Sequence, residues 1–160
     1  MNPKKVNLDI KSIAGISVCT TNIQESDPEQ AEIPLLWDRF YNKGLTQQVV
    51  ERQKPNTVFG VYSSYESDAD GAYKVTAGLD AKQHASALIG LETIDIEPGE
   101  YLVFEGRGNM PSAIYETWGR IWDFFGKASN KAEAGLQRAF KTDFEEYRGD
   151  DQIAIYIGIK

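Results

Sequence analysis

At 160 residues and 41% hydrophobic content, the chain has enough apolar material for one domain, or for two small modules sharing a core, and too much for disorder. A net charge of -7 and a pI near 4.8 argue against a nucleic-acid-binding surface, which needs clustered Lys and Arg. The single cysteine, Cys19, excludes an internal disulfide, and no apolar run has the length of a signal-peptide core or a membrane span, so a cytoplasmic protein is expected.

Taken in order, Leu8 to Thr20 is rich in Ile and Val and predicts a strand centred on Ile13 to Val18, within which Cys19 reads as a buried structural thiol. Asn22 to Glu29 is polar, carries Pro28 and predicts a loop leading to a helix start. Ile33, Leu36, Trp37, Phe40 and Tyr41 then recur at helical spacing, with Pro34 in the first turn and Gly44 as the stop. Val58 to Tyr65 predicts a strand, Asp68 to Gly71 a hairpin turn, and Tyr73 to Leu79 the returning strand.

Gln83 to Leu91 reads as a linker, and its His84, the only histidine, has no ligand-spaced Cys, Asp or Glu beside it. Ile94 to Ile96 and Glu100 to Gly106 predict strands around a turn at Pro98-Gly99. A loop from Arg107 to Met110 leads to Pro111 and a helix whose Ile114, Trp118, Ile121, Trp122 and Phe125 form one face, ended by Gly126. Ser129 to Phe140 predicts a short extra helix, and Phe144 to Tyr147 pairs with Ile153 to Ile159 in a closing hairpin.

Strand, helix, strand, strand thus occurs twice. The two helices align as Ile33-Pro-Leu-Leu-Trp37-Asp-Arg-Phe40 and Ile114-Tyr-Glu-Thr-Trp118-Gly-Arg-Ile121. This predicts an α+β fold in one domain, residues 1–160, made of two pseudo-repeats at about 6–80 and 92–160. The repeats would form an antiparallel sheet with two main helices on one face and a cleft between them.

The stretch Asp143-Phe144-Glu145-Glu146-Tyr147 sets charge against burial. If it is extended, Glu145 and Tyr147 share one face and Phe144 and Glu146 the other, so one glutamate points inward. A buried unpaired carboxylate costs several kcal/mol, roughly, unless something relieves it. An arginine, a backbone donor or a cavity that admits a cation would each do so. Trp37, Tyr41, Trp118 and Trp122 on the helices, with Tyr62, Phe104, Tyr147 and Tyr156 on strands, are candidates to line such a cavity. Aromatic faces beside a carboxylate favour flat lipophilic cations, each contact contributing about 0.5 to 2 kcal/mol.

Signals for other chemistry are weak. Glu105-Gly106-Arg107-Gly108 lacks the third glycine and the spacing of a dinucleotide loop, and a lone histidine supports no nucleophilic triad. No cofactor, metal ligand or catalytic residue is assigned.

The duplicated plan, the run Ile96-Glu-Pro-Gly-Glu-Tyr101, the Trp118-to-Trp122 helix and the ending Phe144-Glu145-Glu146-Tyr147 followed by Ile155-Tyr156-Ile157 resemble the GyrI-like small-molecule-binding domain. That family is similar to the effector-binding domains of multidrug-responsive transcription regulators, and the likeness extends to its mobile gene-cassette members. The resemblance implies that Glu145 is the ligand-facing glutamate, with Tyr147 the aromatic beside it. Ile157-Gly158-Ile159 stands where the family usually has Ile-Pro-Ile.

What the resemblance implies is a freestanding binding module for amphipathic cationic small molecules, with no direct nucleic-acid or membrane partner. Two other roles stay open at this point: a small-molecule hydrolase using the same glutamate, and a protein-interaction inhibitor of a topoisomerase or partner of a separate regulator. Self-association is also open.

Overall fold

Among the described residues, alternation and hydrophobic runs in the sequence become eight strands. The computed structural model describes residues 3–43, 57–68, 70–80, 91–126 and 136–160. In chain order these hold β1 (Lys4–Leu8), β2 (Lys11–Thr20), α1 (Asn22–Glu25), α2 (Ile33–Asn42), β3 (Thr57–Ser63), β4 (Tyr73–Leu79), β5 (Glu92–Ile96), β6 (Gly99–Arg107), α3 (Ser112–Phe125), β7 (Arg138–Arg148) and β8 (Gln152–Ile159). The strands form one antiparallel sheet in the order β1-β6-β8-β7-β3-β4-β2-β5.

The order explains how the halves meet. Strands β2, β3 and β4 of the first half and β6, β7 and β8 of the second each place their last strand in the middle, and the halves join where β3 pairs with β7. The leading strands cross over: β1 pairs with β6 of the second half, while β5 pairs with β2 of the first. The seam β3·β7 sets Gly60 opposite Glu145 and Tyr62 opposite Asp143, which puts the charged stretch at the centre of the sheet.

Both main helices lie on one face. Leu36 and Phe40 of α2, four residues apart, are fully buried over Val75, Ala77 and Leu79, and Ala113, Thr117, Ile121 and Phe124 of α3 settle over Leu102, Phe104 and the isoleucines of β8. Gly106 lets α3 approach, since a Cβ there would stand 2.2 Å from Thr117 Oγ1. The opposite face is covered by the sheet's own curl. Strand β5 comes into contact with β7, with β3, β4 and β2 between them in the sheet order, and a third cluster of Ile13, Phe59, Val61, Ile96, Tyr101 and Phe144 fills the concavity.

Several expectations change. The Leu8-to-Thr20 strand is two strands, because the segment before Asp9 pairs with β6 and the one after Ile10 with β4 and β5, at opposite ends of the sheet. The loop after Thr20 contains α1, whose first turn Thr21 caps by accepting from the Gln24 amide at 3.0 Å. Arg138 to Phe140, read as the end of an extra helix, belong to β7, which bulges between Arg138 and Asp143. Leu136 and Gln137 are not helical either, and residues 129–135 of that predicted helix, the Gly44 stop and His84 lie outside the described residues. Cys19 is exposed, not buried, because side chains alternate along β2 and it points away from the helix-covered side on which Val18 packs. No helix among the described residues is long and apolar enough to cross a membrane.

Candidate functional site

The helix faces are split by function. On each helix the residue after a core position is a tryptophan: Trp37 follows the buried Leu36, and Trp118 follows the buried Thr117. A helical step of about 100° turns each ring from the sheet toward the gap between the helices. Tyr115 and Trp122 continue the α3 stripe at three and four residues from Trp118, and both are more than half exposed. The predicted face of α3 is thus divided, with Ile114, Trp118 and Trp122 lining the cleft and Ile121 joining Ala113, Thr117 and Phe124 in the core.

A cavity of about 600 Å³ opens between the helices, lined by Trp37, Tyr62, Trp118, Trp122, Glu145 and Tyr147 together with Tyr65, Tyr73, Tyr115 and the start of α2. Glu145 is 3% exposed. Its Oε2 accepts from Trp118 Nε1 at 2.7 Å and from Tyr62 Oη at 3.2 Å, and its Oε1 accepts from Tyr147 Oη at 2.8 Å. The rings brace one another edge to face: Tyr62 against Trp118 at 5.4 Å and Tyr147 against Trp37 at 5.4 Å.

Electrostatics separate this carboxylate from its neighbours. Among the described residues four are buried: Asp80, Asp143, Glu145 and Glu146. Asp80 meets Lys11 at 3.4 Å, Asp143 meets Arg138 at 2.8 Å, and Glu146 is bonded by Arg148. Among the described residues Glu145 has only neutral donors, and burial pushes its pKa above the ordinary 4.5 against the opposing pull of those three hydrogen bonds. Burial first, and then the adjacent carboxylate, also raise Tyr62 and Tyr147 well above 10, so both remain protonated donors. Parity put Glu145 and Tyr147 on one face, as they are. It did not show that Glu146, on the other face, is buried too.

Gly60 makes room for this arrangement. A Cβ there would stand 2.7 Å from Glu145 Oε1 and 3.3 Å from Trp37 Cζ2. Gly60→Ala is therefore expected to displace the carboxylate and one wall together, destabilising the chain by about 1–3 kcal/mol on chemical denaturation and altering tryptophan emission.

Three candidates fall elsewhere. Phe104 shares the face of Glu145, both being register partners of Ile155, but it is sealed beneath Phe124 and Phe125. Tyr156 pairs with Phe144 on the opposite face and stacks on it at 4.3 Å. Tyr41 stacks on Trp37 at 6.1 Å and lines an adjoining cavity rather than the one holding Glu145.

Glu25 and Arg138, which no local pattern marks, also stand in the cavity wall. Glu25 caps α2 from α1, accepting from the amides of Glu32 at 2.8 Å and Ile33 at 3.0 Å. Tyr115, in the same wall, was visible as the spacing partner of Trp118. Among the described residues no group of three His, Cys, Asp or Glu is placed to hold a metal ion.

The chain is similar along nearly its whole length to known proteins. YobU of Bacillus subtilis (strain 168), provisionally named a transcriptional regulator, is 30% identical over 96% of this chain and 95% of its own. The integron cassette protein VCH_CASS2 from the mobile metagenome of Vibrio cholerae superposes with a TM-score of 0.80 at 27% identity, covering 99% of this chain and 96% of that one. SAV2435, solved bound to tetraphenylphosphonium, has the same fold at a TM-score of 0.75 and 18% identity, over 100% of this chain and 94% of its own. Residues 6–159 match the model of the integron-associated effector binding protein family, and the chain belongs to that family.

Proposed function

We propose that the chain binds lipophilic organic cations in the cleft between α2 and α3, with Glu145 as the counter-charge and the tryptophan and tyrosine rings as the walls. The observation that carries this reading is the contrast among buried carboxylates: among the described residues three have a Lys or Arg, and Glu145 has none. Small hydrated cations would lose their water in such a site, whereas a delocalised charge on aromatic groups is already weakly hydrated and gains ring contacts. Membership in an effector-binding family and the shared fold with a protein holding tetraphenylphosphonium support the reading.

Both oxygens of Glu145 accept bonds from the walls. That arrangement suits a fixed negative charge better than a base that takes a proton from water, which favours binding over hydrolysis.

All three tryptophans of the chain, Trp37, Trp118 and Trp122, line the cavity, so intrinsic fluorescence reports on it directly. Titration with tetraphenylphosphonium is expected to change that emission saturably. An unchanged spectrum, with no heat of binding by calorimetry, would overturn the proposal.

The raised pKa adds a pH signature. Cation binding needs the ionised carboxylate, so affinity is full above the folded-state pKa of Glu145 and falls by up to about tenfold per pH unit below it. Because burial raises that pKa, the fall begins at higher pH than for an ordinary glutamate near 4.5, and binding in that window releases a proton. Calorimetry in buffers of different ionisation enthalpy measures this release; a pH-independent affinity down to 4.5 contradicts it.

A further inference from the structure

Beside the cleft lies a second cavity of about 430 Å³, lined by Trp37, Tyr41, Val58, Met110, Ile114 and Tyr147, with Gly149 and Asp150 of the β7–β8 turn at its edge. Trp37, Ile114 and Tyr147 line both spaces, so the two cavities adjoin across these residues. Their chemistry differs. The first contains the buried Glu145; among the described residues the second has no buried carboxylate, and the one acid lining it, Asp150, is exposed.

Tyr147 faces both. Its hydroxyl is given to Glu145 at 2.8 Å, and its ring stands edge-on to Trp37 at 5.4 Å. The flexible thioether chain of Met110 is a wall that adapts to variable apolar shapes.

We propose that the second cavity receives an apolar arm of the ligand whose charged head sits against Glu145, so that the protein selects elongated cationic amphiphiles over compact ones. This rests on the cation reading of the first cavity and assigns a different part of the ligand to a different set of residues. The head is held by charge and ring faces, and the arm by burial against Trp37, Val58, Met110 and Ile114.

The test is a series of alkyltriphenylphosphonium ions with a fixed head and an arm lengthened from methyl to hexyl. With wild-type protein, affinity is expected to rise about threefold to fourfold per methylene and then level off as the cavity fills. Met110→Trp, which fills the second cavity, is expected to bind the methyl compound as wild type does and to lose the gain from lengthening. Val58→Phe serves as an independent filling variant, and circular dichroism checks that each is folded.

A flat series in the wild type, or equal slopes in the wild type and both filling variants, overturns the second cavity as the arm site while leaving the head site standing. Failure of the methyl compound to bind wild-type protein overturns both.

Discussion

Glu145→Gln is expected to weaken tetraphenylphosphonium binding by roughly a hundredfold while leaving the chain folded. Removing one charge of a desolvated pair costs about 2–5 kcal/mol, much of it from the partner charge left without compensation. Glutamine has almost the same shape and keeps an acceptor for Trp118 Nε1, so the walls have no reason to collapse.

Stability is expected to move in the opposite direction from affinity. The folded-state pKa of Glu145 is raised, so the folded chain holds this proton more tightly than the unfolded chain does. The destabilisation from the buried charge is therefore absent below the ordinary value near 4.5 and fully present above the raised value. At neutral pH the glutamine variant should be at least as stable as wild type, with the difference shrinking as pH falls toward 4.5. Urea denaturation at both pH values measures it. A variant less stable than wild type by the same amount at each pH would mean that Glu145 is a structural residue.

Asp143→Ala should do the reverse, unfolding the protein more readily by about 3–5 kcal/mol. Asp143 is completely buried and lies on the same strand and face as Glu145. It accepts from Arg138 Nη2 at 2.8 Å, from the Gly158 amide at 2.8 Å and from the Tyr65 hydroxyl. Its loss strands the Arg138 guanidinium inside the protein. Adding Arg138→Met to the alanine variant should restore part of the loss, because the uncompensated charge then leaves with its partner. A double variant no better than the single one would show that hydrogen bonds, rather than the ion pair, dominate at Asp143.

Two carboxylates on one face of one strand thus carry opposite expectations, and only part of that was legible in the sequence. Alternation along Phe144 to Tyr147 placed Glu145 with Tyr147, and the paired helix motif placed Trp37 and Trp118 on opposite sides of a cleft. Both inferences use local periodicity, which the chain carries directly. What failed depends on distant partners. Phe104 and Tyr156 looked alike as strand aromatics, but register with β8 and the packing of Phe124 decide that one is sealed in the core and the other faces away.

Burial of Glu146, which lies between Phe59 of β3 and Ala154 of β8 in the register, depends on sheet pairing that its own stretch does not record. The Arg138–Asp143 pair depends on a bulge in β7 that no residue between them announces. The crossing of β1 and β5 to opposite halves was likewise invisible, since each is a short strand with no local mark of its partner.

Tetraphenylphosphonium and tetraphenylborate have nearly the same size and shape and opposite charge, so their comparison isolates the role of the Glu145 charge. The cation is expected to bind saturably with a change in tryptophan emission, and the borate to bind little or not at all. Equal affinity for the two would contradict recognition of charge by Glu145, showing a cleft that reads aromatic shape alone.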